Sequence, residues 1–166
     1  LYDLCIELSA YMLMIAGKGN TDECRTLASD AIKSGKALDV FRRSVEQQGG
    51  DAAFTDDFTL IDTAKVRYEV HSVSDGYICG MDSEKMGLAS LELGAGRRTK
   101  ESSIDYTAGI VLEAEYGDHV KKGDVLMTLY TSTECDLKKI EEFILDAVEI
   151  SQERPAEREI ILGLSE

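Results

Sequence analysis

The chain is short of the residues that catalysis and nucleic-acid binding draw on. Its 166 residues include 2 histidines, and 18 Lys+Arg stand against 32 Asp+Glu, for a formal net charge of −14. Nucleic-acid binding needs cations that displace phosphate counterions, so this deficit argues against nucleic acid and against an anionic membrane surface. No apolar run approaches the ~20 residues that span a bilayer. The amino terminus lacks the basic, apolar and small-residue regions of a signal peptide, and a cytoplasmic location is expected. A start at Leu1 without an initiating Met fits an excised or incompletely represented chain. Cys5, Cys24, Cys79 and Cys135 are dispersed, with no C-x-x-C pair. Structural zinc favours closely spaced ligand pairs, so no metal site is expected and the cysteines read as buried free thiols in a reducing compartment. G-x-S-x-G, H-E-x-x-H, Walker and dinucleotide-binding motifs are all missing, which leaves no self-sufficient catalytic set. His71 falls on the outward side of an alternating strand and His119 in a charged turn. Asp56-Asp57, Glu141-Glu142 and Asp82/Glu84 sit where caps and solvated faces place carboxylates.

What is present is ordinary globular material, with 43% hydrophobic and 30% charged residues. A chain of this length buries roughly 70% of its unfolded surface. Asp3 is expected to cap a helix, LCIELSAYMLMIAG, that is apolar on most faces and so expects neighbours on several sides. Thr21 is expected to cap a second helix striped by Cys24, Leu27, Ala28, Ala31 and Ile32. Ser34-Gly35 breaks it, and a third helix turns Leu38, Phe41 and Val45 inward before Gly49-Gly50. Residues 51–64 show no clear period and read as an extended linker.

From Lys65 the pattern changes to short β-rich runs. VRYEVHSV alternates, Ser74-Asp75-Gly76 is a turn, and YICGM is a second strand. Asp82 caps a helix with Met86, Ala89 and Leu93 on one face, ending at Gly94. AGIVLEAEY and VLMTLYTS are strands joined by GDHVKKGD. A capping box is expected from Thr133 to Asp136, opening a helix whose buried face carries Leu137, Ile140, Ile144 and Val148. The single proline, Pro155, stands beyond it, and Ile160-Ile161-Leu162 is expected as a final edge strand. The expected class is α+β: N-terminal helices, then a mainly antiparallel sheet module with packed helices.

Two segments carry functional interest. In GAGRRTKESSIDYT, Gly94 and Gly96 permit unusual backbone geometry, and Arg97, Arg98 and Lys100 are candidates to meet an anion, with Ser102, Ser103 and Thr107 adding hydroxyls. The alternative is a solvated loop whose arginines pair with the protein's own carboxylates. GDHVKKGDVL resembles the turn and strand of biotinyl and lipoyl carrier domains, with Val120 and Leu126 facing a small core. No M-K-M or D-K-A attachment tripeptide accompanies it, so a carrier or binding module stands as the rival function.

AGKG after an apolar helix, SGKALDVFRRSVEQQGGD, SDGYICGMDSEKMGLASLELGAGRR, SIDYTAGI and YGDHVKKGD together resemble the pyrimidine-nucleoside (thymidine) phosphorylase family. The resemblance runs from Ala10 to the last helix. One departure is LIDTAKV, where the family often carries a Leu-Pro step. The resemblance implies a homodimeric cytosolic enzyme of nucleoside salvage, a pentosyltransferase. It would split a pyrimidine nucleoside with inorganic phosphate into base and pentose 1-phosphate, with no other cofactor in this chain. It implies closing helices of a large α/β domain in residues 1–50, a linker in 51–64, and the C-terminal domain, barrel-sandwich or hammerhead-like, in 65–166. The family's phosphate- and base-holding residues precede the matched part, so no catalytic residue carries over and the missing N-terminal part is the implied partner. Loop 94–107, with Arg97, Arg98 and Lys100, is then a candidate moving surface at domain closure.

Overall fold

Contacts along the chain separate two units, Leu1–Ile61 with the tail that begins at Arg158, and Asp62–Glu157. The computed structural model describes residues 1–97, 99–159, 161 and 163.

The first unit is helical: α1 (Tyr2–Ile15), α2 (Thr21–Lys33) and α3 (Lys36–Gln47). Asp3 does not cap α1. It lies inside the first turn, where its charge opposes the positive end of the helix dipole. Asn20 rather than Thr21 caps α2. Its side chain accepts the Glu23 N–H at 3.0 Å, and the Glu23 carboxylate accepts the Asn20 N–H at 2.9 Å. The extended backbone of Asn20 lets its short amide reach the third N–H of the helix, which Thr21, already helical, cannot do. α1 packs on α2, with Ile6, Ala10, Cys24 and Ala28 buried and the Arg25 guanidinium donating to Glu7 at 2.9 Å.

The expected inward face of α3 is not inward. Leu38 and Phe41 are exposed and no α3 residue is buried, although Phe41 meets Phe54 edge-on with centroids 6.2 Å apart. Leu8, Met12 and Ile15 of α1 are exposed as well. Three short helices supply too few neighbours within this unit to cover every apolar stripe. Residues 51–64 are not extended throughout. Asp51 and Asp57 accept the N–H groups of Ala53 and Thr59, each at 2.9 Å, and start 3₁₀ turns at Ala52–Thr55 and Phe58–Leu60. Arg42 ties the first turn to α3 through Asp56 and the Thr55 hydroxyl.

The second unit holds β1 (Val66–His71), β2 (Gly76–Met81), α4 (Ser83–Ser90), β3 (Gly109–Leu112), β4 (His119–Val120), β5 (Val125–Thr131), α5 (Leu137–Leu145) and β6 (Val148–Ser151). They form two three-stranded sheets, β1-β5-β3 and β4-β2-β6, with every pairing antiparallel. The class is α+β, and among the described residues neither sheet closes into a barrel. The core gathers Val70, Ile78, Leu93, Leu126, Met127, Leu129 and Ile144. β5 is the central strand of its sheet and buries Leu126, Met127, Thr128 and Leu129 in succession, so both of its faces are covered. The polar member of that run is satisfied, because the Thr128 hydroxyl donates to Glu113 at 3.1 Å.

Two expectations for the last helix are corrected. Asp136, not Thr133, is its cap, accepting the Lys139 N–H at 3.2 Å. The helix ends at Leu145, and Val148 belongs to β6, paired with Met81. Alternating Val148-Glu149-Ile150-Ser151 finds a free edge on β2, and that pairing outweighs continued helix. The strand expected at Ile160-Ile161-Leu162 lies outside the described residues apart from Ile161, which is in no strand.

The two Gly-Asp steps have one explanation. In Glu115–Asp118 and in Lys121–Asp124 the third residue is a glycine with φ +91° and +93°. The closing aspartate accepts the N–H of the first residue at 2.8 Å in both turns. Only glycine adopts that φ without strain, and only a short carboxylate reaches back across the turn. As expected, Val120 and Leu126 are buried beside these turns.

Candidate functional site

The carboxylate of Asp82 accepts the Glu84 and Lys85 N–H groups at 3.0 and 3.1 Å and so starts α4. The helix widens into a π turn over Leu91–Ala95, where Gly94 takes φ +103°. Leu93 is fully buried and Ala89 with it, which fixes this end of α4 in the core. A loop then leaves Gly94 and returns at Asp105.

Asp105 closes the base of that loop. Its carboxylate accepts the Thr107 N–H at 2.9 Å and the Thr107 hydroxyl at 2.6 Å, the Asx turn that an Asp-x-Thr sequence favours. Its other oxygen accepts the Ser132 N–H at 2.5 Å and is 3.5 Å from the Thr133 hydroxyl. The Asp105 N–H donates to the Gly94 carbonyl at 2.9 Å. Beside it the Thr131 hydroxyl donates to the Leu93 carbonyl at 2.7 Å, and the Thr107 and Ser132 hydroxyls are 2.8 Å apart. The hydroxyl of Thr107, then the Ser132 N–H, hold the Asp105 carboxyl below the usual carboxylate range. A side chain at Gly94 would be strained at that φ, and its Cβ would stand 2.9 Å from the Thr133 hydroxyl and 3.2 Å from the Asp105 Cβ, so those side chains would have to shift.

Next to this junction is a cleft of about 710 Å³. Leu88, Leu91, Ile140 and Phe143 give it apolar walls from α4, the π turn and α5; Ser102 and Ser103 border it from the loop. Thr133, Glu134, Asp136 and Lys139 make its polar side, and Glu92 faces it from the π turn. Cys135 also lines it, but burial pushes that thiol up, so it stays protonated at neutral pH and is a poor nucleophile.

The candidates from the sequence fall unevenly on this geometry. Arg97 and Lys100 are exposed on the loop, and Arg98 lies outside the described residues. Ser102 makes a local turn, its hydroxyl accepting the Thr99 N–H at 3.1 Å. Thr107 serves the Asp105 junction rather than an anion. The histidines are engaged elsewhere: His71 Nδ1 is 2.9 Å from the Gly123 carbonyl, and His119 stacks edge-on against Tyr77 at 4.7 Å. No disulfide joins the cysteines; Cys24 is buried as expected, whereas Cys5 on the open face of α1 is exposed. Among the described residues no group of three or more His, Cys, Asp or Glu is placed to hold a metal, and no helix is long and apolar enough to cross a membrane. Sequence reasoning missed Asp105 and its distant partners Ser132 and Thr133. The legible signal was Asp-Tyr-Thr after a glycine-rich loop, but the partners lie 27 and 28 residues away, beyond local turn rules.

Residues 77–151 match the model of the pyrimidine nucleoside phosphorylase C-terminal domain. The chain carries the C-terminal domain of this phosphorylase family. It is 40% identical over 133 residues to a pyrimidine-nucleoside phosphorylase of Geobacillus stearothermophilus, covering 80% of this chain and 31% of that protein. A Staphylococcus haemolyticus pyrimidine-nucleoside phosphorylase is 39% identical over 148 residues, 87% of this chain and 34% of that protein. The Bacillus subtilis pyrimidine-nucleoside phosphorylase is 34% identical over 157 residues, 94% of this chain and 36% of that protein. The chain thus spans about a third of the length of the curated relatives it matches. In the phosphorylase domain, the region matched by the family model contains the loop, the Asp105 junction and the cleft together.

Proposed function

We propose that the chain is the supporting, carboxy-terminal portion of a pyrimidine-nucleoside phosphorylase, whose reaction transfers a pentosyl group from a pyrimidine to inorganic phosphate. In this reading the glycosidic bond breaks, a phosphate oxygen takes the anomeric carbon, and the base leaves with a proton. The phosphate- and base-holding groups belong to the rest of the enzyme. Residues 1–50 are the closing helices of its large domain, 51–64 the linker, and 65–166 the C-terminal domain. The enzyme acts as a cytoplasmic homodimer in nucleoside salvage, with phosphate as its co-substrate. The observation that carries the reading is the match of residues 77–151 to the family's C-terminal domain. The assay is thymidine and uridine phosphorolysis by the purified 166-residue chain. No turnover above the uncatalysed rate is expected, and measurable phosphorolysis would overturn the supporting role.

The contribution of this domain is closure. A loop that carries Arg97, Arg98 and Lys100 and hangs from a fixed base is suited to cover a neighbouring anion site, excluding water and adding positive charge. Replacing Arg97 and Arg98 with Ala in the complete enzyme is expected to lower kcat or raise the phosphate KM by about tenfold, the order seen when one charged contact is lost. Unchanged values for both constants would sink the lid.

A further inference from the structure

We infer that Asp105 is a positioning residue for the loop, a latch that fixes both of its stems to the end of β5. This rests on the lid reading and adds to it how the lid is held. The outgoing stem is pinned at two carbonyls, Leu93 by the Thr131 hydroxyl at 2.7 Å and Gly94 by the Asp105 N–H at 2.9 Å. The returning stem is pinned by the Asp105 carboxylate, which gathers donors from Thr107, Ser132 and Thr133. The carboxylate is what ties the returning stem to Ser132 and Thr133, and through the Asp105 N–H the outgoing stem rests on the same residue. Removing the carboxylate therefore frees the returning stem and leaves the outgoing one held at Thr131 alone.

Between the stems the described residues of the loop have little of their own to hold them. Among these residues the internal hydrogen bonds are those of the Thr99–Ser102 turn, and Arg97, Thr99, Lys100, Glu101 and Ser103 are exposed. A short exposed loop of this kind opens locally at low free-energy cost unless its base is fixed. Carboxylate acceptors make the stronger class of hydrogen bond, so Asp105 is worth more here than a neutral acceptor would be. Gly94 adds the complementary requirement: at its positive φ a side chain is strained, and a Cβ 2.9 Å and 3.2 Å from Thr133 and Asp105 would displace the latch residues. The latch also sets the position of Thr133, and with it the polar side of the cleft.

The test compares Asp105→Asn with the wild type in the complete enzyme. The amide keeps one acceptor oxygen but turns an NH₂ toward the donors on its other side, so it breaks one side of the latch with little change in volume. Limited trypsin digestion, read by mass spectrometry, is expected to cut after Arg97, Arg98 or Lys100 at least about tenfold faster, because proteolysis of a folded protein follows local opening. Thr107→Val is expected to do the same and Thr107→Ser to retain protection, which covers the case in which Asp105→Asn fails to fold. Unchanged cleavage in both Asp105→Asn and Thr107→Val overturns the latch. Faster cleavage with an unaltered kcat upholds the latch and removes the lid reading instead, whereas faster cleavage with a lower kcat supports both.

Discussion

Leu129→Ala lowers the stability of the second unit by about 3–4 kcal/mol, within the range for leucines deleted from well-packed cores. Leu129 is completely buried and sits in the middle of β5, opposite Tyr68 on one neighbouring strand and Ile110 on the other. The deleted methyls leave a void that two hydrogen-bonded neighbours prevent the strand from closing. For a unit of this size the loss corresponds to a fall in Tm of roughly 12–30 °C, a large part of the 5–15 kcal/mol that domains possess. Calorimetry of the second unit's transition measures it. Leu129→Met keeps the volume and is expected to lose under about 1.5 kcal/mol. A loss below about 1 kcal/mol for the alanine variant would mean that β5 is not the centre of the core.

Gly76→Ala is the second large effect, at about 3 kcal/mol. Gly76 opens β2 with φ +146°, pairs with Val120 of β4, and lies against β6 on its other side. An added Cβ would stand 2.6 Å from the Ser151 carbonyl oxygen and 2.7 Å from the Ile150 side chain. The backbone oxygen cannot rotate away as a side chain would, so β6 has to separate from β2. The figure combines roughly 1–2 kcal/mol for a strained φ with roughly 1–3 kcal/mol for overpacking. Gly117→Ala isolates the first component, because its φ is +91° and nothing lies within 4 Å of the added Cβ; about 1 kcal/mol is expected there. Hydrogen exchange of the Tyr77 and Ser151 amides, the neighbouring pair across the two strands, reports whether the β2–β6 ladder opens. Equal losses at Gly76 and Gly117 would show that close approach is not what requires glycine at Gly76.

Elements whose signals are local were legible in the chain. Asp82 as the α4 cap, Ala89 and Leu93 as its buried face, and Val120 and Leu126 beside the Gly-Asp turns all stand where periodicity and turn chemistry put them. Misreadings occurred where two local solutions compete. Asn20 displaced Thr21 and Asp136 displaced Thr133, because capping depends on which residue keeps an extended backbone, and neighbouring polar residues all qualify by type. Leu38 and Phe41 show the converse limit: an amphipathic stripe states that a face is apolar, not that this unit covers it.

The candidate site divides along the same line. The loop was recognisable from glycines beside Arg97, Arg98 and Lys100, and the family was recognisable from the order of several short motifs. The latch was not. Asp105 and Thr107 look like ordinary turn residues until β5 delivers Ser132 and Thr133 to the same point, and a contact across ~27 residues has no periodic trace in sequence.

The sequence by itself therefore determined the α+β class, the antiparallel strands, the glycine-dependent turns and membership in the phosphorylase family, because each depends on residue type and short spacing. Tertiary structure alone decided that Val148 leaves α5 for β6, that β5 is the doubly covered strand, and that Asp105 holds the loop at both stems. Those outcomes depend on which distant backbone groups arrive together, and their hydrogen bonds and buried surface outweigh the weak preferences of the local chain.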